Sequence, residues 1–262
     1  MKVPLLRVEN VSKLFYIPAK KSDYCVFDQV SLAVEEKEFV AVLGHSGCGK
    51  STLLNIIAGI DRANSGYVFL DGKETNQPGI DRMVVFQNFA LMPWLTVSGN
   101  IRLAVKAAFP QWTKDQIEER VRKYVEMVGL KGAEHKRPAE LSGGMRQRVG
   151  LARAFSVNPR IMLLDEPFAQ IDALTRGVIQ EELVRMWGDT GITIFMVTHD
   201  VDEAVLLSDR ILLMTPGPHA RIAQEIKVDL PRPRTRAHLV EDQRFHDLRQ
   251  RIVDFLTMKH AA

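Results

Sequence analysis

Read in order, Gly44, His45, Ser46, Gly47, Cys48, Gly49, Lys50 and Ser51 have the spacing G-x-x-x-x-G-K-[ST]. That spacing suits phosphate chemistry. Glycines let the backbone wrap so that successive N–H groups point inward as an anion nest, and the helix start beyond adds partial positive charge. Lys50 is spaced to reach β- and γ-phosphates, the Ser51 hydroxyl to ligate Mg²⁺, and Thr52 to face the α-phosphate side. The alternative is a glycine turn with a chance lysine, and such a match arises in on the order of one per cent of chains this long. Cys48 lies beside Lys50 and a helix start, conditions that lower a thiol pKa. A redox trigger and a small residue that merely fits the loop both suit it, and alkylation there should block nucleotide.

A second set of residues could act on what the first set holds. The run Ile161–Leu164 ends in Asp165-Glu166-Pro167. A carboxylate at a buried strand end can hold the hydration shell of Mg²⁺, the role read for Asp165. The adjacent Glu166 can polarise an attacking water as general base. His199 follows the strand-like ITIFMVT and could bond a γ-phosphate or orient the water; a lone histidine there could equally cap a helix or face solvent. Gln87 follows MVVF and could touch Mg²⁺ or the water, or be a solvated loop amide. In Leu141-Ser142-Gly143-Gly144-Met145, Ser142 is a good N-cap and the glycines open a helix whose N–H groups are free for a phosphate. A second cradle in one chain makes sense if it serves a nucleotide held by another subunit.

Positioning these groups requires an α/β fold. Uninterrupted apolar runs at Phe39–Leu43, Met83–Phe86, Ile161–Leu164, Ile192–Thr198 and Arg210–Met214 read as strands of a parallel sheet covered on both faces. LLRVENVSKLFY, VFDQVSLAVEE and SGYVFLDGK alternate, which reads as a separate, half-exposed antiparallel layer. Between Asn88 and Glu140 strand patterns vanish. Thr113 and Gln116 form a capping box ahead of a helix with Ile117, Val121, Tyr124 and Val128 on one face, closed by Gly129 in a left-handed cap. After PRPRTR, Phe245, Leu248, Ile252 and Phe255 recur at helical spacing, a terminal amphipathic helix that packs on its own domain, with a partner-binding face the alternative.

These motifs, in this order, resemble the ATP-binding subunits of ABC transporters over nearly the whole chain. Gly44–Ser51 resembles Walker A, Gln87 the Q-loop, Leu141–Met145 the signature motif, Ile161–Glu166 Walker B with its catalytic glutamate, and His199 the H-loop histidine. Asp172 resembles the D-loop aspartate, and Phe15 falls where the family stacks an aromatic on adenine, with Tyr16 the second choice. The resemblance implies a P-loop NTPase core, an antiparallel β subdomain, an inserted α-helical subdomain and, here, a C-terminal helix. It assigns residues 1–236 to the ATP-binding domain, with the helical subdomain about 88–158, and residues 237–262 to a C-terminal helical extension. It implies ATP and Mg²⁺ as cofactors and a homodimer or heterodimer of ATPase subunits, each ATP lying between one chain's Walker A and the other's signature. Met145 departs from the usual glutamine, and Phe168-Ala169-Gln170-Ile171-Asp172 from the usual D-loop. GHSGCGKST, VTHDVDEAVLLSDR, MTPGPHARI and the PRPR tail are most similar to the nitrate, sulfonate and taurine importers, nearest the nitrate branch with cyanate and bicarbonate close by. Integral membrane permease subunits and an extracytoplasmic solute-binding protein are the implied partners, with Trp94 a contact or a piece of subdomain core.

Composition agrees by exclusion. With 46% hydrophobic and 26% charged residues the chain is globular, and a net charge of +3 without a basic stripe gives no case for nucleic acid. Cys25 and Cys48 alone make no secreted disulfide framework, so a reducing compartment is expected. The longest charge-free run, Met83–Ile101, contains Gln87, Asn88, Pro93, Gly99 and Asn100 and is too polar to cross a bilayer. Taken with these exclusions, the resemblance implies a peripheral location on the cytoplasmic face of the inner membrane. A soluble ABC ATPase would carry a second such domain or long coiled-coil insertions, and a small-molecule kinase would have no use for LSGGM ahead of LLDEP.

Overall fold

The computed structural model describes residues 3–257. In chain order its strands and helices are β1 (Leu6–Ile17), β2 (Ser22–Val34), β3 (Phe39–Gly44), α1 (Lys50–Ile57), β4 (Ser65–Leu70), β5 (Lys73–Glu74), β6 (Arg82–Val85), α2 (Val97–Ala108), α3 (Lys114–Met127) and α4 (Gly143–Ser156). There follow β7 (Ile161–Asp165), α5 (Ala173–Thr190), β8 (Thr193–Thr198), α6 (Val201–Leu207), β9 (Arg210–Met214), β10 (Ile222–Lys227), α7 (Arg236–Glu241) and α8 (Gln243–Thr257). They form two compact units, one from the residues up to Gly79 together with those from Thr193 onward, the other Ile80–Ile192.

In the first unit β3 is central, parallel to β8 on one side and to β9 on the other. Every residue of β3 and of β8 is buried, which is why both read as unbroken apolar runs. β10 joins the outer edge of β9 antiparallel, an element the apolar runs do not reveal because Ile222–Lys227 alternates as an edge strand with one face exposed. The expected half-exposed layer is the antiparallel sheet β2-β1-β4-β5. α8 lies on α6 through the buried Phe245 and Ile252, as the spacing predicts. Residues 258–262 of the expected extension lie outside the described residues.

In the second unit β6 and β7 pair in parallel, and α4 packs against α2, α3, α5 and β6. The strand expected at Met83–Phe86 shifts by one residue, because Phe86 already leaves the sheet. The capping box at Thr113 is present in both directions, and α3 closes with Gly129 N–H to Glu126 O and Leu130 N–H to Val125 O around a left-handed Gly129. Trp94 is 67% exposed, so the core alternative for it fails. Among the described residues no helix is long and apolar enough to cross a membrane.

Candidate functional site

In the first unit β3 delivers the chain to Gly44, and the loop turns back into α1 through Gly49 at φ +98. A Cβ on Gly49 would sit 2.5 Å from Val26 Cγ1 and 2.9 Å from Phe27 Cδ1, so both the backbone angle and the space demand glycine. Lys50 is buried, and its Nζ donates to the carbonyls of Gly44 at 2.8 Å and His45 at 2.9 Å. The ammonium is therefore held inside the turn by the loop's own carbonyls, weak acceptors that phosphate oxygens would outcompete. His45, Ser46, Gly47 and Ser51 are exposed, and Thr52 is half-buried in the first turn of α1. His45 also meets the tail: its Nε2 donates to the Leu256 carbonyl of α8 at 2.6 Å, since a carbonyl can only accept.

Cys48 corrects the expectation of a lowered thiol pKa. It is 1% exposed, and burial raises the pKa, outweighing the Lys50 ammonium 3.9 Å away. An inert packing residue fits this better than a redox trigger does.

The same unit carries Phe15 on β1, half-exposed, with Lys13 Nζ 4.8 Å over its ring; Tyr16 is more exposed and, by strand alternation, points to the opposite face. His199 is exposed between the end of β8 and Asp200, which caps α6 by accepting from Glu203 N–H. The helix-cap alternative for the histidine therefore falls to its neighbour.

In the second unit β7 ends at Asp165 and Glu166 follows at φ +43, a left-handed angle uncommon for a residue with a side chain. Both carboxylates are half-buried. Gln87 is exposed just beyond β6, and the residues after it, Phe89 and Ala90, are also left-handed. Arg153 on α4 holds that turn, donating to Ala90 O at 2.7 Å and Phe89 O at 3.1 Å, while Arg146 lies 5.9 Å from the Phe89 ring centroid. Burial lowers the pKa of Arg153. Ser142 caps α4 as expected, accepting from Met145 N–H at 3.2 Å. Gly144 has a further reason to be glycine: a Cβ would run into Thr175 Cγ2 on α5. Asp172 caps α5, accepting from Thr175 N–H at 3.0 Å, and that bond holds its carboxyl below the usual range.

Residue patterns alone missed Arg153, which grips the turn after Gln87, and Thr198 and Glu203 around His199. The spacing Asp200-x-x-Glu203 is a capping-box signal that could have flagged the last of these. Nothing in the sequence marks Arg153, because its acceptors are main-chain carbonyls.

A strand–loop–helix phosphate cradle in one unit, with a strand ending in two carboxylates and a glycine-led helix in the other, defines the P-loop ATPase class. The ABC transporter family matches residues 27–169, more than half of the chain. The chain is 49% identical to the bicarbonate transport ATP-binding protein CmpD of Synechococcus elongatus over 98% of its own length and 92% of that protein. It is 47% identical to the nitrate import ATP-binding protein NrtD of the same organism, covering 98% of this chain and 93% of the relative. Its fold is similar to a dimeric, post-hydrolysis structure of the ATP-binding cassette MJ0796 bound to ADP and Pi, with TM-score 0.76 and 30% identity over 86% of this chain and all of that one. The chain belongs to the ABC transporter family, and it is an ATP-binding subunit of the kind that hydrolyses ATP to drive transport.

Proposed function

We propose that this chain powers uptake of a small anion, nitrate before others, through separate integral membrane permease subunits fed by an extracytoplasmic solute-binding protein. The observation that carries the ATPase part is the buried Lys50 ammonium held at the Gly44 and His45 carbonyls of a glycine-turned loop. Residues 1–236 are the ATP-binding domain, with about 88–158 its helical subdomain, and 237–262 the extension. The subunit works in a homodimer or heterodimer, peripheral to the cytoplasmic face of the inner membrane.

In this reading the loop amides from Gly44 to Ser51 cradle the β-phosphate, Lys50 bridges β- and γ-phosphates, Thr52 faces the α-phosphate and Phe15 stacks on adenine. Ser142, Gly143 and Gly144 meet the γ-phosphate held by the other subunit, and Asp172 lies at the same interface. Glu166 accepts the proton of the attacking water, while His199 and Gln87 orient it. The oxygens of Ser51, Asp165 and Gln87 are hard donors of the type Mg²⁺ takes, so these residues fit the ion. When bound, it would neutralise phosphate charge. Positioning and fixed charge carry most of the rate.

Bicarbonate is the second reading, favoured by the 49% identity to the bicarbonate transport ATP-binding protein. The residues that choose the anion belong to other chains, so the test is to find those chains. A tagged Glu166→Gln protein should trap the closed ATP-loaded pair and be purified with Mg-ATP from membranes of its host. Recovery of integral membrane proteins and a solute-binding protein supports the reading, and nitrate or bicarbonate binding by the latter decides the solute. Recovery of the ATPase alone, or with soluble assemblies only, refutes it.

A further inference from the structure

His199 sits on an exposed turn, and a turn that orients water must itself be fixed. Three hydrogen bonds close a ring around it. Thr198 Oγ1 donates to Glu203 Oε2 at 2.9 Å and accepts from Asp200 N–H at 3.0 Å, and Asp200 Oδ1 accepts from Glu203 N–H at 3.0 Å. Thr198 is 1% exposed and Glu203 4%, so water competes little for these bonds. In an ordinary capping box the N3 glutamate reaches straight back to the N-cap N–H. Here the Thr198 hydroxyl is inserted between them, so the box spans from the last residue of β8 to the first turn of α6 and encloses His199.

Both ends of that span are anchored. β8 is buried throughout and pairs with the central β3. The far end of α6 is closed by Ser208 Oγ to Ala204 O, Arg234 to Val205 O and Arg232 to Leu207 O. With strand and helix fixed, the freedom left to His199 is the turn itself, and the ring removes it. A buried carboxylate and hydroxyl are expensive to keep unless paired, and here each is paired within the ring.

We infer that Thr198 and Glu203 are positioning residues for ATP hydrolysis, acting through His199 by holding its turn in the hydrolysis-competent arrangement. The inference rests on the reading of His199 given above. The test uses the full-length chain with Thr198→Val, Thr198→Ser, His199→Ala and the double variant Thr198→Val/His199→Ala. Turnover (kcat and KM), equilibrium ATP binding and thermal midpoint are read for each. Valine keeps the shape and loses the hydroxyl, so kcat should fall on the order of ten- to a hundredfold with ATP affinity unchanged. Serine keeps the hydroxyl and should retain kcat. In the His199→Ala background the valine substitution should cost nothing more, because both changes remove one function.

An equal loss in both backgrounds, a serine variant as poor as the valine one, or a valine variant with full kcat overturns the inference. If His199→Ala alone leaves kcat intact, the role of His199 fails first, and any loss on Thr198→Val then acts by another route and overturns the inference as well. Should the valine variant not fold, Glu203→Asp, whose carboxylate is one carbon too short for Thr198 Oγ1, takes its place in the same comparison.

Discussion

Replacing Arg234 by methionine is expected to destabilise the first unit by about 4 kcal/mol. Its guanidinium is 6% exposed and makes five hydrogen bonds to four carbonyls: Nε to Leu230, Nη1 to Val205 and Ser208, and Nη2 to Val228 and Leu230. Burial, with Arg232 nearby, pushes its pKa down to about 10, so charge works against the folded state while the bonds work for it. Methionine matches the stem, removes the charge and leaves four buried carbonyls unpaired. If solvent reaches half of them, the other two cost about 1–3 kcal/mol each, which sets the figure near 4. In urea that shifts the unfolding midpoint by roughly 2 M for a slope of about 2 kcal/mol/M. Lysine should not rescue, because one ammonium cannot reproduce a planar fork addressing four acceptors. An unchanged midpoint for Arg234→Met, or full stability for Arg234→Lys, would refute this account.

Three further outcomes are expected. Arg102 holds Glu118 by a bidentate pair of 2.5 and 2.7 Å, which lowers the carboxyl pKa; a lowered carboxyl stabilises at neutral pH and loses that contribution as pH falls below about 4.5. Both side chains are about a third exposed, so the acid loss should be under about 1 kcal/mol and should vanish in Glu118→Gln, measured by urea midpoints between pH 6 and 3. Gly144→Ala should cost about 1–3 kcal/mol by overpacking Thr175 Cγ2 and Ile179 Cδ1, and Thr175→Ser in the same chain should restore most of it in thermal unfolding. Native Cys48 should resist iodoacetamide at pH 8 and react once urea unfolds the loop; labelling of the native chain at the rate of a free thiol would contradict its burial.

What could be read ahead of the structure follows from which interactions leave a mark on residue type. β3, β7, β8 and β9 are legible because strands buried on both faces are apolar along nearly their whole length, with polar residues only at their ends. α3 is legible at both ends because Thr113, Gln116 and Gly129 are each demanded by cap geometry. β10 is not, since an edge strand with one exposed face has the same alternation as any amphipathic loop. Cys48 is half legible for a related reason: the lysine and helix start that lower a thiol pKa are visible in sequence, whereas the burial that raises it and favours the packing reading is a property of the fold.

The basic residues show the same limit more sharply. Counted along the chain, 35 cations against 32 carboxylates suggest a slightly positive surface. Lys50, Arg153 and Arg234 are instead turned inward onto carbonyls of Gly44 and His45, of Phe89 and Ala90, and of the segment from Val205 to Leu230. Carbonyls are offered by every residue, so no partner type betrays these contacts in the sequence, and a carbonyl cancels no formal charge. Net charge therefore says nothing about which cations face inward. An ammonium resting on carbonyls keeps its full charge for whatever anion displaces them, and in this fold the displaced carbonyls belong to the same loop whose amides would receive that anion.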